Sequence, residues 1–231
     1  MKAPLRAAVF ASGSGSNFQA LLDREVEGGA SWETVLLVAD RDSAGALGRA
    51  EGHGVATCVV PFRQRTSEEI DADLSECLAQ AKVDVIFLAG FLRLIPPGVI
   101  HRYRNRILNI HPGLLPAFGG QGMWGMKVHR AVLESGARIS GPTVHLVDEI
   151  YDRGQILAQW PVPVMPGDTP ESLAARVLAV EHRVYPEVAE HLCRALREDR
   201  TVDPLAPRTE SFGSDSAGAL FKSIESLSRE S

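Results

Sequence analysis

Apolar runs and helical patterns take turns along this chain from its start. Leu5–Ala11 is an apolar run broken only by Arg6, and it ends in the glycine-rich Ser12-Gly13-Ser14-Gly15-Ser16-Asn17. Phe18, Leu21 and Leu22 then repeat at helical spacing. Thr34–Ala39, Ala56–Val60, Val83–Ala89 and Arg106–His111 read as further buried strands. Thr66 opens a helix, with Glu69 placed three residues on for a reciprocal cap, and its apolar face is Ile70, Leu74, Cys77, Leu78 and Ala81. Strands alternating with helices predict an α/β protein whose mostly parallel, twisted sheet has helices on both faces.

The rhythm then changes. Ser140–Val147 and Ile156–Val164 resemble a strand pair with no long helix between them, which predicts a mixed far edge. Thr169-Pro170-Glu171 is a strong helix start, carrying Leu173, Val177, Val180 and Val184, and Pro186 is expected to kink or end that helix. From Asp203 onward Pro, Ser, Gly and charge dominate. The expectation is one folded domain over 1–202 and a flexible tail over 203–231.

Composition narrows the classes. The 231 residues are 45% hydrophobic and 23% charged, the balance of an ordinary globular protein. A net charge of −5 argues against broad nucleic-acid binding. The most apolar stretch, Val83 to Ile100, is broken by Asp84, Arg93 and Pro96-Pro97, so no membrane span is expected. The apolar run after Lys2 and Arg6 is too short for a signal peptide, which points to the cytoplasm. Cys58, Cys77 and Cys193 are odd in number and lack CxxC spacing, and are expected to be free thiols in a reducing compartment.

Three places carry candidate chemistry. The first is the glycine-rich loop between strand and helix, where backbone N–H groups and Ser14, Ser16 and Asn17 suit an anion, or simply make a tight turn. A dinucleotide fingerprint would need Gly where Phe18 stands, and a P-loop would need Gly-Lys-Ser/Thr, so a single phosphate fits better; Asp40 keeps a nucleotide reading open. The second is Asn109-Ile110-His111-Pro112, in which residues two apart share a strand face. An amide donor beside an imidazole at the carboxyl end of a parallel strand suits acyl transfer. The third is the acidic stretch Val147–Gly154, whose Asp152 is expected to pair with His111 and raise its pKa. His111, His129 and His145 are too dispersed to read as metal ligands, and no metal is expected.

The segments AVFASGSGSN, FLAGFLRLIP, ILNIHPGLLP, GPTVHLVDEIYDRGQILAQ and VEHRVYPEV together resemble the phosphoribosylglycinamide formyltransferase family, over approximately residues 5–200. The resemblance implies a Rossmann-like formyltransferase fold. It also implies that Asn109, His111 and Asp152 are catalytic. Ser14, Gly15, Ser16 and Asn17 would hold the ribose phosphate of glycinamide ribonucleotide, with Glu181 on the same substrate. Leu92, Arg93, Leu94, Ile95 and Asp148 would line the pocket of the co-substrate, 10-formyltetrahydrofolate. The implied partners are these small molecules, with no nucleic acid or membrane, in a monomer or homodimer. Three features depart from the usual pattern. Gly113 stands where Ser is frequent after His-Pro. Ser67 falls in register with an arginine of the folate site, with Arg65 only nearby. Gly119–Val128 is longer and richer in glycine than the usual linker and reads as a mobile lid.

The mechanism so implied has the glycinamide amine attacking the formyl carbon while Asn109 and a protonated His111 stabilise the oxyanion. Rival readings are a formyltetrahydrofolate hydrolase, which uses the same three residues on water, and a non-catalytic phosphate- or nucleotide-binding α/β module. Methionyl-tRNA formyltransferase shares these elements too, but its additional C-terminal RNA-binding domain exceeds what the polar tail supplies.

Overall fold

The structure is a computed structural model that describes residues 3–205. Its strands are β1 (Leu5–Ala11), β2 (Trp32–Ala39), β3 (Ala56–Val59), β4 (Val85–Leu88), β5 (Ile107–His111), β6 (Ile139–Ser140), β7 (Thr143–Leu146), β8 (Ile156–Gln159) and β9 (Val162–Pro163). Its helices are α1 (Ser16–Val26), α2 (Ala46–Gly52), α3 (Ser67–Gln80), α4 (Pro97–Arg102), α5 (Met126–Glu134) and α6 (Pro170–Arg197). Seven strands form one sheet in the order β3-β2-β1-β4-β5-β7-β8. β3 through β5 pair in parallel, whereas β7 runs antiparallel to β5 and β8 antiparallel to β7. The expected mixed edge is therefore the β7–β8 hairpin, beside which β6 and β9 form a separate short ladder.

Residue alternation along the strands explains the two packed faces. Ala7, Val9, Leu37, Phe87 and Leu108 point to one side, where α1, α2 and α6 bury Phe18, Leu21, Ala50, Tyr185 and Val188. Ala8, Phe10, Val38, Ile86 and Ile107 point to the other, covered by Ile70, Leu74 and Leu78 of α3 and by Val99 and Ile100 of α4. α3 begins as its sequence predicts: the Thr66 hydroxyl accepts from the Glu69 N–H, and the Glu69 carboxylate accepts from the Thr66 N–H.

Two expectations are corrected. Pro186 does not end α6, which continues to Arg197. A proline removes one backbone bond, and Val184, Tyr185, Val188 and Ala189 around it are all buried against the sheet, which holds the helix through that loss. Cys58 and Cys77 are not free thiols but a disulfide joining β3 to α3, with Cα atoms 6.7 Å apart. Spacing along the chain gives no sign of this, because the pairing arises only when α3 folds back over β3. Cys193 remains a buried thiol, its pKa pushed up by burial. The tail expected over 203–231 lies, from residue 206, outside the described residues.

Strand order reverses between β1 and β4, so the connections leaving their carboxyl ends diverge and open a crevice there. One buried side chain spans the strands beneath it. The Tyr185 hydroxyl of α6 lies 2.9 Å from the carbonyl of Leu88, the last residue of β4, and 3.1 Å from that of Leu108, the second residue of β5. Tyr185→Phe is expected to destabilise the protein by about 1–2 kcal/mol in urea unfolding, the usual cost of a lost buried hydrogen bond. An unchanged midpoint would show that this tie carries no stability.

Candidate active site

The loop after β1 is shaped by glycine. Gly15 precedes α1 at φ 74°, and a Cβ there would stand 2.8 Å from the Ala46 Cβ, so both the turn and the close approach of α2 require glycine. No side chain caps α1, which leaves its first-turn N–H groups directed outward. Asn17, in that first turn, is buried and donates from Nδ2 to Glu181 Oε2 of α6 at 2.6 Å. Burial pushes the Glu181 carboxyl up, and the bond from Asn17 only partly offsets this. The Oδ1 of Asn17 is buried without a hydrogen-bond partner. A buried carboxylate beside an unanswered amide oxygen suits a ligand bearing several hydroxyl or amine donors.

Asn109 and His111 lie on β5 two residues apart, and both face the crevice. Asn109 pairs directly with His145 across the β5–β7 ladder. His145 Nδ1 is 2.8 Å from the Leu146 carbonyl, which can only accept, so Nδ1 carries the proton. Nε2 is then free to accept from Asn109 Nδ2 at 3.0 Å, which fixes the amide orientation and leaves its second N–H for a ligand. Sequence reading missed His145 as a site residue. Its signal was a lone histidine in the otherwise apolar Val144-His145-Leu146, directly opposite Asn109.

Asp152 sits between the two histidines. Its Oδ2 is 3.7 Å from His111 Nδ1, its Oδ1 is 3.6 Å from His145 Nε2, and Oδ2 accepts from the Gly120 N–H at 2.8 Å. Its backbone is in the left-handed region at φ 55°, a conformation aspartate tolerates better than most residues. Burial raises its pKa, but the His145 ring, the Gly120 N–H and the nearby imidazoles outweigh that and hold it below the ordinary carboxylate value.

The expected raised pKa of His111 is reversed. The ring is only 4% exposed, and this desolvation dominates; the Asp152 charge and the bond to the Phe118 carbonyl oppose it without overcoming it, so the pKa is lowered. His111 Nε2 donates to the Phe118 carbonyl at 2.7 Å, so the resting ring is a neutral imidazole protonated on Nε2.

These groups share one cavity of about 500 Å³. Asn17, Glu181, Asn109, His111 and Asp152 line it together with Leu92, Arg93, Leu94, Ile95 and Asp148. Ser16 lies instead in a neighbouring cleft between α1 and α6, with Arg49 and His182. Ser14 is exposed, and Gly15 is buried behind the turn. Arg93 is engaged by the buried Asp40 at 2.7 Å, and Asp40 also pairs with Arg41 at 3.0 Å. That carboxylate is thereby neutralised, which removes the case for Asp40 as a ribose ligand. Arg65 pairs with Asp73 of α3 at 2.7 Å. Among the described residues no cluster of His, Cys, Asp or Glu has the arrangement of a metal site.

The glycine-rich segment forms one wall of the cavity through Gly120, Gly122, Met123, Trp124, Gly125 and Met126. The departure at Gly113 has a steric reason, since a Cβ there would stand 2.7 Å from Val128 Cγ1 and 3.2 Å from His111 Nε2. A serine would press the segment off the histidine.

An open α/β sheet with an amide, two imidazoles and a carboxylate round a crevice at its switch point defines a class of acyl-group transferases. The formyl transferase family model matches residues 5–189, and the chain belongs to that family. It is 47% identical over 187 residues to the chloroplastic phosphoribosylglycinamide formyltransferase of Vigna unguiculata, covering 80% of this chain and 60% of that protein. The chain thus spans less than two thirds of the length of the plant relatives. A crystal structure of glycinamide ribonucleotide transformylase 1 from Symbiobacterium toebii superposes with a TM-score of 0.79 at 39% identity, covering 88% of this chain and 95% of that one. Phosphoribosylglycinamide formyltransferase from Brucella melitensis superposes at 0.75 and 42% identity, over 82% and 96% of the two chains.

Burial also lowers the pKa values of His129 and His182 from 6.5, as it does for His111. The unfolded chain takes up protons near pH 6.5 that the folded one refuses, so stability present above that pH is lost on the acid side. The melting temperature is expected to be level from about pH 8 to 7 and to fall below about 6.5, with a shallower fall in His129→Gln. A melting temperature that rises on acidification would contradict these burial effects.

Proposed function

We propose that this chain transfers the formyl group of 10-formyltetrahydrofolate to the amine of glycinamide ribonucleotide. The observation that carries the reading is the convergence of Asn109, His111 and Asp152 on one cavity with the buried Asn17–Glu181 pair. The first group suits acyl chemistry, and the second suits a sugar-bearing amine. Relatives named phosphoribosylglycinamide formyltransferase support the same substrate.

In this mechanism the amine nitrogen attacks the formyl carbon, and a C–N bond forms as the C=O π pair moves to oxygen. The second N–H of Asn109 donates to that oxygen, its direction set by His145. His111 starts neutral. Negative charge gathering beside it raises its proton affinity, so the imidazole takes the amine's proton as the tetrahedral species forms. The resulting imidazolium lies against the Asp152 carboxylate, which the protein keeps ionised. The proton then passes to the folate nitrogen as the bond from formyl carbon to that nitrogen breaks. The loop of Ser14, Gly15, Ser16 and Asn17 would hold the substrate phosphate chiefly through backbone N–H groups at the uncapped start of α1. Leu92, Arg93, Leu94, Ile95 and Asp148 flank the folate. Holding both reactants in one cavity supplies much of the remaining acceleration.

Asp152→Asn keeps the shape and removes the charge. It is expected to lower kcat by about 100-fold or more while both KM values stay within about threefold, measured by formyl transfer with and without glycinamide ribonucleotide. Near-normal turnover would remove Asp152 from the chemistry. Formate release independent of the ribonucleotide would make the protein a hydrolase.

A further inference from the structure

Large apolar side chains are seldom left in water without a use, and here they gather in one place. Leu92, Leu94, Trp124, Ile150 and Tyr151 are all exposed and all stand round the catalytic cavity, while among the described residues only Val26, Ile139 and Met165 are exposed elsewhere. Trp124 is the largest of them and is 46% exposed. It is carried by the glycine-rich segment, between Gly122 at φ 88° and Gly125 at φ 53°. One end of that segment is tied to Asp152 through the Gly120 N–H, and the other runs into α5. The Lys127 ammonium lies over the indole, 4.5 Å from the ring centroid, so a cation–π contact steadies the ring.

We propose that Trp124 is a binding residue for the formyl donor, the wall against which the aryl ring of the folate packs. The proposal rests on the formyl-transfer reading given above. In the donor the formyl-bearing nitrogen is bonded directly to the benzoyl ring. With the formyl carbon beside buried His111 and Asn109, that ring must leave the reacting centre within one bond and pass along the wall toward the mouth. An indole held at that wall offers a flat apolar face of matching kind. Its contact is the same in ground state and transition state, so it acts on donor binding and not on the chemical step.

Trp124→Ala is expected to raise KM for 10-formyltetrahydrofolate about tenfold, with kcat within about twofold and KM for glycinamide ribonucleotide unchanged. Trp124→Phe, which keeps an aromatic face, should recover most of the loss. Titration with folic acid, followed by tryptophan fluorescence, gives a readout independent of turnover. Wild-type emission should be quenched, and the Trp124→Ala protein, still containing Trp32 and Trp160, should bind about tenfold more weakly. An unchanged donor KM and an unchanged folic acid titration in Trp124→Ala would overturn the proposal and leave formyl transfer standing. If wild-type protein transfers no formyl group to the ribonucleotide, the underlying reading fails. The folic acid titration of the two proteins then still decides whether Trp124 holds the folate.

Discussion

The site depends on one half-buried carboxylate held between two imidazole rings. Asp152 touches His111, His145 and the Gly120 N–H, and these come from β5, β7 and the glycine-rich segment. A carboxylate so enclosed is costly to hold, and the Gly120 N–H that it accepts from and the two rings beside it fix where those three elements sit relative to one another. The left-handed turn at residue 152 aims the carboxylate inward. Gly119 makes the approach possible, because a Cβ there would stand 3.1 Å from the Asp152 Cβ and 2.2 Å from Leu115 Cδ2. The geometry of the site and the packing of the cavity wall are thus the same constraint.

The sheet turns that constraint into an open crevice. Parallel strands deliver the loops after β1, β4 and β5 to one edge, and strand order reverses between β1 and β4, so the loops part there instead of packing together. The antiparallel β7 then brings His145 opposite Asn109, which a parallel neighbour in that position would not do with the same register. α6, the longest helix at 28 residues, closes the far side and carries Glu181 to Asn17. On the proposed reading, the crevice serves formyl transfer by bringing an amine and an acyl donor to one dipole-lined point.

Much of this was readable from one-dimensional patterns, for identifiable reasons. The parallel strands are short continuous apolar runs, and the Thr66–Glu69 cap and the Thr169-Pro170 start are local chemistry, so both survive without tertiary information. Asn109 and His111 follow from the two-residue period of a strand. What escaped depends on distance through space. The Cys58–Cys77 bond needs α3 laid over β3. His145 gains its role only by facing Asn109 across a ladder whose register no local signal sets. The sign of the His111 shift turns on desolvation, and a sequence shows the attractive partner Asp152 but not the depth of burial that outweighs it. Continuity of α6 through Pro186 likewise reflects packing on the sheet, not propensity.

The account stands most directly on the proton inventory of the site at neutral pH. A pH titration of nitrogen-15-labelled histidine, followed by NMR on the folded protein and assigned with His111→Asn and His145→Gln, reads it without any ligand. The structure predicts His111 neutral at pH 7, protonated on Nε2 and titrating below the ordinary histidine value of 6.5. An imidazolium at position 111 that persists through pH 7 would contradict it, because Asp152 would then prevail over burial and the reaction would begin from a charged pair.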